Sequence, residues 1–418
     1  MATAEPRVAQ ENLRDESSRR AARILVALMF FGTLLNYVDR QVLSLLKPTI
    51  QGAYGWGDEQ FAHFASVSQA SAAIALLFVG GILDRFGVRL AYGAAVAIWS
   101  IAGMAHAVAA NVTQFVAARV VLVSAEAANT PAAVKSAGEY LTIAERSPAI
   151  GIVNSAPNLG NILAPLLVIP FAVAFGWQAA FIVTGALGIV WLIFWAVGTR
   201  KLVAVASARG ATAKLSWRSV LSAPTTWAIA GAKAVTDMFW WFFTFWLPDL
   251  FHKVFNLSQQ GLAGPTALAF ILAAMGALSG GALFPWLLNR TGNANRARKI
   301  AMLTFALCIL PVPLALLARS PWVAALLIGL ALFAHQGFST NIFGFAADAV
   351  PAARLGTVMS VGAIAGNLAG VGIQEITGKL LESGIGYAPL LYGASLAYLL
   401  ALGWIQYWVP VIRPAAEA

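Results

Sequence analysis

Charge and cysteine are both scarce in this chain. Only 11% of its 418 residues are Asp, Glu, Lys or Arg, less than half the share of an ordinary soluble domain. That class is excluded. A single cysteine, Cys308, rules out a disulfide framework and a thiolate metal site, and in its apolar surroundings it serves packing. With only four histidines, no His/Cys metal spacing stands out, nor does a Ser/His/Asp set or a phosphate-cradling glycine loop. No enzyme activity and no resident cofactor are therefore expected. The first 20 residues are polar, and the apolar run after them is too long and lacks a small-residue cleavage site, so no cleavable signal peptide is expected either.

What fills the chain is apolar sequence: 60% of residues are hydrophobic and the mean hydropathy is +0.76. Runs of about 20 residues, each long enough to cross a hydrocarbon core of roughly 30 Å, recur throughout. Twelve are counted, near 23–46, 62–83, 90–109, 112–135, 148–172, 177–198, 225–250, 263–288, 300–317, 321–347, 355–380 and 387–411. Barrel strands would be alternating segments of about 10 residues, so the spans are helices. The expected fold is an all-α integral membrane protein with a lipid bilayer as its surroundings.

The net charge of +10 invites a nucleic-acid reading, but position decides otherwise. Arg40, Lys47, Arg119, Lys135 and Lys233 lie in or at the ends of spans, and Lys253, Arg319 and Lys379 lie on one side. The other basic residues fall on the opposite side, which the positive-inside rule makes cytoplasmic. Both termini are then cytoplasmic in a bacterial inner membrane, and no nucleic-acid partner is expected.

The longest loop-like stretch, 199–224, divides the chain six spans from six. The expected organisation is a disordered tail over 1–20, a bundle over 21–198, a cytoplasmic linker over 199–224, a bundle over 225–412 and a short tail over 413–418. Internal repetition supports it. "GGILDRFGVRL", with Gly80, Asp84, Arg85, Gly87 and Arg89, follows the second span, and "LLNRTGNANRARK", with Arg290, follows the eighth. "AERSPAIGIVNSAPNLG" after the fourth likewise matches "AARLGTVMSVGAIAGNLAG" after the tenth, each led by an arginine, Arg146 or Arg354. These glycines, acids and arginines are assigned to gating and structure.

The six-plus-six plan with "GGILDRFGVR" resembles the major facilitator superfamily. "LNYVDRQVLSLLKPTIQ", "TDMFWWFFTFWLPDLF", "NRARK" and "AHQGFSTNIFGFAAD" together resemble the hexuronate transporters of its anion:cation symporter family. The resemblance implies two pseudo-symmetric six-helix bundles that rock about a midplane site. It also implies that Asp39 and Glu126 are protonation sites, and that Arg40 and Arg119 bind the substrate carboxylate or couple it to protons.

The charges inside spans carry the functional reading on their own. A central Asp or Arg costs about 2.5–3.5 kcal/mol to insert, while each Leu, Ile, Phe or Val returns only about 0.3–0.6. Asp39 and Arg40 must therefore face protein or a water-filled cavity. Arg40 and Lys47 are two turns apart and share a face with Asn36. Arg119 and Glu126 repeat the arrangement in the fourth span. A structural salt-bridge network is the alternative. Lys233 and Asp237 form an i,i+4 pair assigned to gating or structure. Arg40, Lys47, Arg119 and Lys233 against Asp39, Glu126 and Asp237 leave one surplus positive charge, or two with Lys135, which favours an anionic guest. A carboxylate fits the guanidinium fork of Arg40 or Arg119. An acid released by its arginine can take a proton, which is a symport mechanism.

Sugar contacts are expected from Asn154 and Asn158, from Trp240 and Trp241 as ring faces, and from His335, Gln336 and Asn341 in the tenth span. The sequence thus predicts a monomeric proton-coupled importer of a sugar-acid monoanion, most of all a hexuronate, with the proton as coupling ion. An organic-anion or phosphate-ester antiporter of the same fold is the rival reading.

Overall fold

The computed structural model describes residues 16–141, 143–200, 202 and 220–412. Among them there are thirteen α-helices, three short 3-10 turns and no strand. The helices are α1 (Glu16–Leu45), α2 (Lys47–Tyr54), α3 (Asp58–Ala105), α4 (Val112–Glu126), α5 (Asn129–Tyr140), α6 (Ile143–Phe175), α7 (Trp177–Gly198), α8 (Pro224–Phe255), α9 (Ala263–Thr291), α10 (Ala294–Cys308), α11 (Pro321–Ala349), α12 (Ala352–Glu382) and α13 (Ala388–Trp408).

Their boundaries follow from local chemistry. Pro48 sits in the first turn of α2, where its missing N–H costs nothing, and Gly55 closes that helix at φ +67°. α3 has 48 residues but is broken at Gly87, whose φ of +75° and ψ of 153° no helix contains. This is a position that glycine alone occupies without strain. Gly292 plays the matching role in the second half, capping α9 at φ +62° before Asn293 caps α10 by accepting from the Arg296 N–H at 2.9 Å. The fourth span is interrupted at Ala127 and Ala128. Pro131, in the first turn of α5, has no N–H to return to the preceding turn.

Nine stretches among the described residues are long and apolar enough to cross a bilayer, and one of them, Asp58–Val108, is two spans joined at Gly87. α4 with α5, and α8, complete twelve; they carry Arg119, Glu126, Lys233 and Asp237. The chain is an all-helical, multi-pass membrane protein.

The contacts define two compact units: residues 1–39, 74–160 and 181–211, and residues 40–73, 161–180 and 212–418. The first is built around Tyr92, Trp99, Trp191 and Trp195, packed with Leu25, Leu28 and Met29 of α1. A polar knot lies within it: Asn129 accepts from Tyr92 Oη at 2.6 Å and pairs with Thr33 Oγ1. Such bonds hold membrane helices together where lipid offers no hydrophobic contrast.

In the second unit close helix approach depends on glycine. A Cβ on Gly280 of α9 would meet the backbone of Gly337 on α11 at 2.8 Å. Along α12, Gly362, Gly366 and Gly370 form one row, spaced by a turn. Against it lie Lys233, Asp237 and Trp241 of α8, spaced likewise. The side chain of Arg146, the tails 1–15 and 413–418, and most of the expected linker 199–224 lie outside the described residues.

Candidate functional site

In the first unit the structure gathers three of the charges. Asp39 on α1 is 5% exposed, and Arg119 and Glu126 on α4 are 2% and 1% exposed. The Asp39 carboxyl lies against the Thr184 side chain of α7, in the field of Glu126 and Arg119. Two carboxyl groups and one guanidinium are therefore buried within each other's field. Asn36, one turn before Arg40 on α1, is 1% exposed, and neither its amide oxygen nor its nitrogen finds a hydrogen-bond partner among the described residues. A bare buried amide costs about 1–3 kcal/mol, a cost that a guest hydroxyl or carboxylate would remove. Asn154 is exposed and Asn158 half-buried on α6.

Arg40, the next residue along α1, belongs to the second unit. It is half-buried, with its guanidinium 5.9 Å from the Trp241 ring centroid. Trp241 rests in the notch left by Gly370, where a Cβ would meet its ring at 2.7 Å. On the other side of α8, Trp240 stacks on His335 with centroids 4.9 Å apart and planes 14° apart. His335 Nδ1 lies 2.8 Å from Tyr398 Oη. Gln336 is half-buried beside it. Lys233 and Asp237 make their i,i+4 ion pair at 2.7 Å.

Lys47 is placed elsewhere. It is wholly buried, 2.7 Å from Asp58 and 2.8 Å from Asp249, with its ammonium over the rings of Trp246 at 4.3 Å and Phe61 at 5.0 Å. Lys253 also pairs with Asp58, and Tyr387 donates to Asp249. Around this cluster Ser44 donates to the Phe245 carbonyl at 2.8 Å, Gln259 to that of Leu45 at 2.7 Å and Ser66 to that of Val371 at 3.2 Å. The end of the first span and the start of the second are thus latched to α8 and α12. The two turns that put Lys47 on the face of Arg40 are real as spacing, but the helix ends at Leu45 and re-forms as α2, which turns the ammonium into the latch.

Lys135 is likewise taken, by Asp84 and by the Leu83 carbonyl at 3.0 Å. With both lysines committed, Arg40, Arg119 and Lys233 balance Asp39, Glu126 and Asp237. The expected surplus of positive charge disappears. Any preference for an anionic guest would then rest on the geometry of individual arginines rather than on net charge.

Asn341 is drawn into packing. Its Oδ1 accepts from Arg298 Nη1 at 3.3 Å, and its Nδ2 donates to the Gly337 carbonyl at 2.9 Å. Arg298 is itself bound to Asp348 at 2.6 Å and lies over Phe284. This buried junction was not legible beyond the "NRARK" cluster. Nearby, Arg290 covers Trp286 at 4.1 Å. Asp84, Arg85 and Arg89 are exposed around Gly87, and Gly80 has open space beside it. Arg354 stands in the first turn of α12.

The membrane-embedded charges, the paired glycine turns and the twelve spans define a solute transporter. The sequence model of the Major Facilitator Superfamily matches residues 29–373, and the chain belongs to that family. It is 26% identical over 416 residues to the hexuronate transporter of Escherichia coli (strain K12), covering 94% of this chain and 95% of that one. To the probable L-galactonate transporter of the same strain it is 28% identical, covering 88% and 85%. Its fold matches the crystal structure of a D-xylose-proton symporter with a TM-score of 0.73 at 14% identity, over 95% of this chain and 99% of that one. The protein is a membrane transporter and not an enzyme.

Proposed function

We propose that the protein imports a sugar-acid monoanion, a hexuronate such as galacturonate or glucuronate, together with protons across a bacterial inner membrane. The observation that carries this reading is the trio of Asp39, Glu126 and Arg119. Fully ionised it holds one net negative charge in a medium where charge is costly; a single proton makes it neutral. A site whose charge balance is completed by one proton is suited to carry one. Arg40, steadied over Trp241, offers the planar fork that a carboxylate accepts in bidentate fashion. In the first unit Asn36 offers bare polar atoms to a sugar hydroxyl; in the second, the Trp240–His335 stack is the ring contact proposed for a pyranose. Similarity to transporters of hexuronate and L-galactonate over most of the chain supports the substrate class.

In this mechanism the monomer alternates access by rocking residues 21–198 against 225–412, with both termini cytoplasmic. Substrate carboxylate captures an arginine, an acid is released to take a proton, and the latch around Lys47 opens and closes one entrance. The test is uptake of labelled galacturonate into proteoliposomes under an inward proton gradient, with gluconate and glucose as controls. Accumulation abolished by a protonophore is the expected result. No uptake of any uronate by folded protein overturns the reading.

A further inference from the structure

His106 plays no part in the reading above, and its surroundings tie it to the proton-binding trio. It opens the 3-10 turn His106–Val108 at the end of α3, and it is wholly buried. Its Nδ1 lies 2.8 Å from the Ala102 carbonyl and 3.3 Å from that of Gly103. Carbonyl oxygens only accept, so Nδ1 carries the proton and Nε2 keeps a lone pair. That Nε2 is buried and has no hydrogen-bond partner among the described residues.

The ring is held on two sides. It stacks flat on Phe181 of α7, with centroids 4.9 Å apart and planes 3° apart, and stands edge-on to Phe115 of α4 at 4.7 Å. Phe115 is one turn from Arg119 on the same face of α4. Phe181 is joined to Thr184, whose side chain lies against Asp39, by the Thr184 Oγ1 bond to its carbonyl at 3.4 Å. The charged group that faces His106 is Arg119; its own helix offers only the two carbonyls, and α7 offers Phe181 and Thr184.

We infer that His106 is a positioning residue for Arg119: its Nε2 is a docking point for the guanidinium, taken up when the trio holds its proton and the pull of the acids on Arg119 is weakened. The inference rests on the coupling role proposed for the trio. Ionised carboxylates draw Arg119 to themselves. Once one acid is neutral, the arginine left in the membrane interior needs a further acceptor, and the bare imidazole nitrogen that faces it supplies one. The protonated trio is then stabilised by His106, and proton uptake is favoured by it.

Two substitutions separate this role from simple packing. His106→Asn keeps a donor where Nδ1 sits but removes the acceptor at Nε2; His106→Gln keeps a polar group near Nε2 and gives up the donor. The readout is infrared difference titration of the carboxylic-acid carbonyl band in the full-length protein. The signal is assigned to the trio by its loss in Asp39→Asn and Glu126→Gln, and thermal melting is recorded alongside.

His106→Asn should move protonation of the trio about one pH unit lower, roughly a tenfold loss of proton affinity, while His106→Gln stays near the wild-type midpoint. An unmoved midpoint in His106→Asn overturns the inference, as does an equal shift in both variants, which would report ring packing alone. If His106→Asn does not fold, His106→Gln decides: a wild-type midpoint upholds the inference and a shifted one overturns it. Uronate uptake is measured on the same preparations. Its absence with the Asn shift present would sink the sugar-acid reading and leave the Arg119–His106 exchange standing.

Discussion

At the scale of the residue, the decisive fact is that three ionisable side chains of α1 and α4, two acids and one cation, are removed from water within each other's field. Asp39→Asn and Glu126→Gln should each keep substrate exchange across the membrane but lose accumulation driven by a proton gradient. Counterflow and gradient-driven uptake, compared in the same vesicles, check this, and full accumulation in both variants would remove these acids from coupling. Arg40→Lys keeps the charge but loses the fork. A charge-assisted hydrogen bond is worth about 1.5–3 kcal/mol, so KM for the sugar acid should rise about tenfold or more with the fold intact, as measured by initial uptake rates.

At the scale of the element, α8 is the helix through which most of the second unit communicates. One face fits the glycine row of α12 and its far end enters the latch. Gly366→Ala places a methyl group where the Asp237 carboxylate now lies, and overpacking of this kind costs about 1–3 kcal/mol. Gly372→Ala, on the same helix with nothing within 4 Å of the added carbon, should be neutral or better. Thermal melting of the two variants tests whether the groove, rather than helix propensity, sets the requirement. Lys47→Ala leaves Asp249 buried without its ammonium and should cost about 3–5 kcal/mol. Adding Asp249→Asn should recover most of that loss. Additive losses in the double variant would mean that the latch is not an ion pair in energetic terms.

At the scale of the whole molecule, the distribution of arginine and lysine predicts the orientation, with both termini cytoplasmic. In a Cys308→Ala background, a cysteine at Ser320, which caps α11, should react with an impermeant maleimide from outside the cell. One at Ala206, in the stretch proposed as the cytoplasmic linker, should react only after the membrane is opened. The reverse pattern would invert the proposed topology.

The class, the twelve spans and the positions of charges inside them were legible along the chain. These follow from local arithmetic: an apolar run of sufficient length must cross, and a charge inside it costs more than its neighbours return. The i,i+4 pair of Lys233 and Asp237, the shared face of Arg119 and Glu126, and the glycine turns at Gly87 and Gly292 are short-range features that helical spacing reveals. Which partner each charge meets depends on tertiary packing. Lys47 and Lys135 are satisfied by Asp249 and Asp84 and Asn341 by Arg298, while Thr184 lies against Asp39 and His106 lies in the field of Arg119, neither of which the sequence signals. A lysine that ends in a latch and one that holds a substrate read alike along the chain. Their difference lies in which distant carboxylate the packing of helices brings within hydrogen-bond reach.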